Sequence, residues 1–183
     1  MLKVISKLVL KIMGYKIVGE LPRHSKYIIT LAPHTSNWDF VIARCFGYQL
    51  GVKAKYFGKS QLFVPPIGWL FRLFGGIPVV RTKNNNLVQF AVDLFNQSNS
   101  LVIGIAPEGT RKRVKKWKTG FYHIANQANL PIALGFIDYK NKEAGIGKII
   151  FPTGNLLKDF EQIETFYKTK PAKYTELYNT KIY

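Results

Sequence analysis

The chain has almost no cysteine and few acids. Cys45 is the single cysteine in 183 residues, so no internal disulfide can form and nothing indicates an oxidising compartment. It sits in an apolar run and reads as a small buried residue. Asp and Glu total 10 against 27 Lys and Arg, for a formal net charge of +17 at pH 7. Such a surplus says little about fold, but it selects anionic partners: anionic lipid, nucleic acid or an acidic carrier protein. No apolar run reaches the roughly 18 residues that a spanning helix needs. The amino end lacks a secretory pattern, because its lysines are interleaved with apolar residues and no small-residue cleavage site follows. There is no internal repeat and no linker. The expectation is one domain over residues 1–183, peripheral on the cytoplasmic face of the cell membrane, with no transmembrane helix.

The hydrophobic content, 47%, is ordinary for a globular chain of a length able to form a core. The charge is uneven. Residues 1–135 hold 19 basic residues and only Glu20, Asp39, Asp93 and Glu108 as acids, so they carry +15 of the +17. Residues 2–14 have the spacing of an amphipathic helix, with Lys3, Lys7 and Lys11 on one face and Ile5, Leu8, Val9, Ile12 and Met13 on another. A basic amphipathic helix marks a membrane surface, although the same spacing also serves a helix packed on its own core. Residues 1–16 form this unit and 27–138 form the core that bears the motifs.

Buried strands are predicted at 27–32, 53–57, 77–81, 101–106, 132–138 and 148–151. Helices are predicted at 37–50, 85–97 and 119–129, and a short helix between turns within 62–76. The last fifteen residues, rich in Lys and Tyr, read as a fraying end. Strands alternating with helices predict an α/β domain with a mostly parallel mixed sheet flanked by helices, plus the N-terminal amphipathic helix.

Three segments carry chemistry. His34 follows directly on a predicted strand and Asp39 lies five residues further on. A continuous helix would turn the two about 140° apart, so His34 belongs before the helix start. With Ser36 as N-cap and Asp39 at the third helical position, the carboxylate reaches back to the imidazole. That pairing suits a general base, because a carboxylate fixes the tautomer and stabilises the cation formed on proton transfer. On its own, the pattern marks a helix cap more often than a catalyst. Glu108, Gly109, Thr110 and Arg111 follow another strand and bring backbone N–H groups, a hydroxyl and a guanidinium fork suited to phosphate. Six basic residues occupy the eight positions 111–118. Finally, Gly75 and Gly76 precede a strand that ends at Arg81, a position able to hold an anion. His24 and His123 read as surface or structural residues.

Taken in order, His34-x-x-x-x-Asp39, Gly-Gly-Ile-Pro-Val-Val-Arg81, Pro-Glu108-Gly-Thr-Arg111 and Leu130-Pro131-Ile132 resemble the glycerophospholipid acyltransferase family, whose bacterial type is the lysophosphatidic acid acyltransferase. Lys59, in Phe-Gly-Lys-Ser-Gln-Leu, and Lys118, in Trp-Lys-Thr-Gly, add to the likeness. The resemblance implies that His34 deprotonates an acceptor hydroxyl and Asp39 orients it. The alkoxide then attacks an acyl thioester directly. Arg81, Glu108, Gly109, Thr110 and Arg111, with Lys59 and Lys118, would hold the acceptor, 1-acylglycerol 3-phosphate first among candidates. Pro131 would mark the donor side. No metal and no cofactor is implied; acyl-CoA or acyl-acyl carrier protein is the donor substrate, an anionic membrane surface is a partner, and no nucleic acid is expected. Ala106, Val80 and Lys112 depart from the family's usual residues, which leaves glycerol 3-phosphate or an amino-acid lysolipid open as acceptor. A basic nucleic-acid-binding protein and a membrane adaptor without activity are the rivals outside this chemistry.

Overall fold

The computed structural model describes residues 2–80 and 86–183. Its frame is a seven-stranded sheet of β1 (Lys16–Val18), β2 (Lys26–Ala32), β3 (Lys55–Lys59), β4 (Gly76–Val79), β5 (Leu101–Ile105), β6 (Ile132–Asp138) and β7 (Glu143–Ile150). The order is β1-β7-β6-β2-β5-β3-β4. Every neighbouring pair is parallel except β6 and β7. Among the five strands of the parallel part, β2, β5 and β6 are the apolar runs expected of a sheet covered on both faces, while β3 and β4 are only partly buried. β1 and β7 run the other way and extend it at one edge.

Helices cover both faces. α1 (Leu2–Ile12) and α2 (Trp38–Leu50) pack on one face, where Tyr27, Ile29, Ala133 and Ile146 meet Phe46 and Val52, while Ile137 and Ala144 meet Leu10, Ile42 and Cys45. A short 3-10 turn (Ser60–Phe63) and α3 (Gly68–Leu73) join β3 to β4 on this same face: Phe40 of α2 packs edge-on against Tyr56, and the space above Gly58, two residues along the strand, is taken by the Phe63 ring. α4 (Leu87–Asn96), α5 (Gly120–Gln127) and α6 (Leu156–Lys168) cover the opposite face around Ile28, Ile103, Ile132 and Leu134.

Three findings correct the sequence reading. That reading assigns no element to 152–168, yet α6 forms there. Asn155 caps it by accepting from the Lys158 N–H, and Phe160, Ile163 and Tyr167 are buried at helical spacing. Tyr167 reaches across the sheet and donates to the Gly135 carbonyl at 2.8 Å. The carboxyl terminus does not fray: Ile182 is fully buried, its carbonyl accepts from Trp117 N at 2.8 Å, and its N–H donates to Glu164 Oε2 at 2.9 Å. Finally, β7 begins at Glu143, five residues before its predicted start, and pairs with β6 along its whole length.

α1 presents a different face from the one its spacing suggested. Ser6 and Leu10 are buried, with Val9 and Met13 packed beside them. Val4, Ile5, Leu8 and Ile12 are exposed. The helix therefore packs on the body of the protein and still leaves an apolar row in solvent.

Candidate active site

The site is assembled at the carboxyl ends of the parallel strands, where open α/β sheets place their ligand crevices. The β2–β5 register sets Thr30 beside Ile105, so the chain leaving β2 at His34 runs beside the chain leaving β5 at Glu108. The two are joined: the His34 N–H donates to Glu108 Oε1 at 3.0 Å. β6 lies on the other side of β2, with Ala32 beside Phe136, which brings Tyr139 to the same edge.

α2 starts one residue later than expected. Asn37 is the N-cap, Ser36 Oγ accepts from the Trp38 N–H at 3.2 Å, and Asp39 is the second helical residue. The backward reach of its carboxylate holds. Asp39 Oδ2 accepts from Thr35 N at 2.8 Å, from Ser36 N at 2.9 Å and from His34 Nδ1 at 3.0 Å, while Oδ1 accepts from the Tyr139 hydroxyl. Burial pushes the Asp39 carboxyl up, but hydrogen bonds from His34, Tyr139 and Ser36 outweigh it and hold the group below the usual carboxylate range. An ionised carboxylate only accepts, so the proton of the neutral imidazole sits on Nδ1 and Nε2 carries the lone pair. His34 is 26% exposed at its side chain and Asp39 is 6% exposed. The imidazole is thus fixed from behind and open in front. Burial and the negative charge of Asp39 push the Tyr139 phenol far above its ordinary value, so it stays a donor.

In front of His34 lies a cavity of about 1370 Å³. Asp39, Lys59, Gly109, Thr110, Arg111 and Lys118 line it together with His34. Gly109 turns with φ of +66°, a backbone conformation open to glycine, and a Cβ there would come within 3.1 Å of the Lys118 Nζ. Three cations, the Thr110 hydroxyl and one imidazole thus share a single cavity lining, an arrangement suited to an anionic ligand. Much of the remaining lining is apolar, with Leu31 and Gly104 from the sheet and Ala43 and Gly47 from α2. Among the described residues no cluster of three or more His, Cys, Asp or Glu is placed to hold a metal ion.

Glu108 differs from its sequence reading. It is 6% exposed and does not line the cavity; its Oε1 holds the His34 backbone, and Oε2 has no hydrogen-bond partner. Burial pushes its carboxyl up to about 7. Its position braces the backbone of His34 from behind. Arg81 lies outside the described residues. His24 and His123 are exposed, away from the cavity lining. Tyr139 had no sequence signal of its own; only the strand order, with β6 beside β2, brings it to Asp39.

A histidine held by a buried carboxylate, on a cavity also lined by cations at the carboxyl edge of a mostly parallel sheet, is an arrangement chemically able to accept a proton beside an anionic group. The acyltransferase family model matches residues 15–133, and the chain belongs to that family. The crystal structure of PlsC, the 1-acyl-sn-glycerophosphate (LPA) acyltransferase of Thermotoga maritima, shares the fold: TM-score 0.62 at 15% identity, covering 88% of this chain and 73% of that one. No curated protein matches the sequence.

Proposed function

We propose that this acyltransferase moves a fatty acyl group from an acyl thioester to a hydroxyl of a lysophospholipid-type acceptor, with 1-acylglycerol 3-phosphate as the first candidate. The observation that carries the reading is the Asp39-bound His34, on a cavity that Lys59, Arg111 and Lys118 also line. His34 Nε2 takes the proton of the acceptor hydroxyl as its oxygen attacks the thioester carbonyl. Asp39 stabilises the imidazolium that results. The tetrahedral intermediate collapses with expulsion of the thiolate, and the imidazolium returns the proton to sulfur. Base assistance of this type accelerates transfer by roughly 10²–10⁴-fold.

Lys59, Arg111, Lys118, Thr110 and the Gly109 backbone hold the acceptor phosphate, while the apolar depth between α2 and the sheet holds the acyl chain. Arg81 is assigned to the acceptor by its motif alone. The donor is acyl-CoA or acyl-acyl carrier protein, both anionic and both suited to the basic run 111–118. No cofactor or metal enters the reaction, and nucleic acid is not a partner. No helix of the described residues is long and apolar enough to cross a membrane. The exposed row Val4, Ile5, Leu8 and Ile12, beside Lys3, Lys7 and Lys11, attaches α1 to the anionic cytoplasmic leaflet.

The test supplies purified protein with each donor type and a panel of acceptors: 1-acylglycerol 3-phosphate, glycerol 3-phosphate and amino-acid lysolipids. Transfer is expected for a phosphate-bearing acceptor and drops by at least about 100-fold in His34→Ala, with vesicle binding retained. Equal transfer by both proteins removes His34 from the mechanism. A salt-sensitive RNA complex without any transfer overturns the reading as a whole.

A further inference from the structure

The segment between β3 and β4 has two sides. Phe63 and Gly68 are buried, and Phe71 lines the cavity in front of His34. Leu62, Val64, Ile67, Trp69, Leu70 and Leu73 point outward, from 37% exposed at Leu70 to 67% at Leu73. Six large apolar side chains within one short stretch form a continuous patch, which a lone surface leucine does not. The framework beneath them is firm: the Arg72 guanidinium donates to the Phe63 carbonyl at 2.9 Å and lies over the Phe63 ring. The outward row is therefore held outward.

We infer that residues 60–74 form a second lipid-contacting element, separate from α1, that enters the headgroup–acyl boundary of an anionic membrane and presses the cavity wall against the bilayer. Charge selects an anionic occupant, and the width of exposed apolar surface selects lipid among these. No Asp or Glu occurs between Asp39 and Asp93, so Lys53, Lys55, Lys59 and Arg72 stand in the same stretch of chain as the patch with no acid among them. A second copy of the chain would bring the same uncompensated charge to the contact and be repelled. An anionic leaflet supplies both the apolar depth and the opposite charge. Trp69, an apolar body with one N–H, is suited to the boundary itself.

Position supports the same occupant. The segment and α1 pack on the sheet face that carries α2, one on either side of that helix. α1 contacts α2 through Leu10, Ile42 and Cys45, and α2 contacts the segment through Phe40 and Phe74. A membrane touching both elements is touched at two separated points, which sets the tilt of the protein as well as its attachment. Phe71 faces the cavity while Trp69 and Leu73 face lipid, so one turn of α3 separates bilayer from cavity. On the proposed function, an amphipathic acceptor would cross that single layer without passing through water. Membrane contact by residues 60–74 stands without that reading.

The test uses the full chain and vesicles of equal parts phosphatidylglycerol and phosphatidylcholine, the latter with brominated acyl chains, and no substrate. Bromine quenches tryptophan in contact with the acyl region. The expected result is strong quenching in the wild type and loss of most of it in Trp69→Phe, a change that keeps the apolar surface and the fold. Trp69→Ser with Leu73→Ser lowers the vesicle partition coefficient by about tenfold or more. Ile5→Ser with Leu8→Ser weakens binding too, yet leaves Trp69 quenched in the bound fraction. Quenching unchanged in Trp69→Phe, or a partition coefficient unchanged in the Trp69 and Leu73 double variant, overturns the inference. So does a dimer in sedimentation that becomes a monomer in that variant, since it assigns the patch to a second copy. None of these readouts depends on acyl transfer, so failure here and failure of the proposed chemistry are told apart.

Discussion

Glu108 offers a measurement that isolates one buried carboxyl. Replacing it with glutamine keeps an oxygen for the His34 N–H and removes the ionisable group. Burial raises the folded-state value from an ordinary 4.5 to about 7, whereas an unfolded chain leaves it unshifted. The folded protein therefore holds this proton more tightly than the unfolded chain. Its contribution is fully present below about pH 4.5 and is lost as pH climbs through about 7. At about 1.4 kcal/mol per pH unit between the two values, the loss is roughly 3 kcal/mol. The glutamine variant has no such dependence. Its amide nitrogen takes the place of Oε2, which has no partner in the protein, and any cost of that is constant with pH.

Urea unfolding of both proteins at a series of pH values from about 4 to 8 gives the difference in stability at each point. Groups common to both cancel. The wild type is expected to lose roughly 3 kcal/mol relative to Glu108→Gln across that range, most of it between the two pKa values. A difference that is flat with pH, or one that grows in favour of the wild type, refutes the burial of an unpaired carboxyl behind His34.

Further expectations test the other parts of the site and the fold. Tyr139→Phe removes the hydroxyl that donates to Asp39 Oδ1; with the carboxylate less firmly held, the transfer rate should fall by about 10-fold with KM little changed. Gly104 belongs to the apolar part of the cavity lining, and a Cβ there would meet the Leu31 Cδ1 at 3.4 Å, an ordinary contact. Gly104→Ala should therefore leave donor preference alone, while Gly104→Leu should shift it toward shorter acyl chains, read from competition between donors of different length. Ile182→Ala opens a hole at a fully buried position and should cost about 2–5 kcal/mol in denaturant unfolding; a cost near zero would mean that the carboxyl-terminal segment does not pack.

Most of the fold can be read from local pattern, because burial on both faces of a parallel strand leaves a run of Ile, Leu, Val and Ala that no loop would carry. Residues 27–32, 101–106 and 132–138 are such runs, and each is a central strand. β1 is three residues long and too short to show a period. It owes its place to pairing with β7. α6 does carry a helical period and an asparagine cap, but Asp159, Glu161 and Glu164 make it read as polar. Asp159 is in fact fully buried, where it accepts from the Tyr122 hydroxyl at 2.7 Å and from Thr153 N at 2.7 Å.

The sequence by itself determined the pairing of His34 with Asp39, because five residues and a helix start are a local geometry that the backbone enforces wherever the chain lies. It also determined the cationic character of the surroundings, since charge is a sum over residues. Tertiary structure alone decided what stands behind the pair. Tyr139 is 100 residues from Asp39 in the chain, and Glu108 is 74 from His34. They arrive because β6 and β5 flank β2, and strand order depends on how the whole hydrophobic set is buried at once. The same packing buried Glu108 against the His34 backbone, off the cavity lining. It also left the outer sides of α1 and of residues 60–74 uncovered, since a helix period shows that a face is apolar but not what covers it.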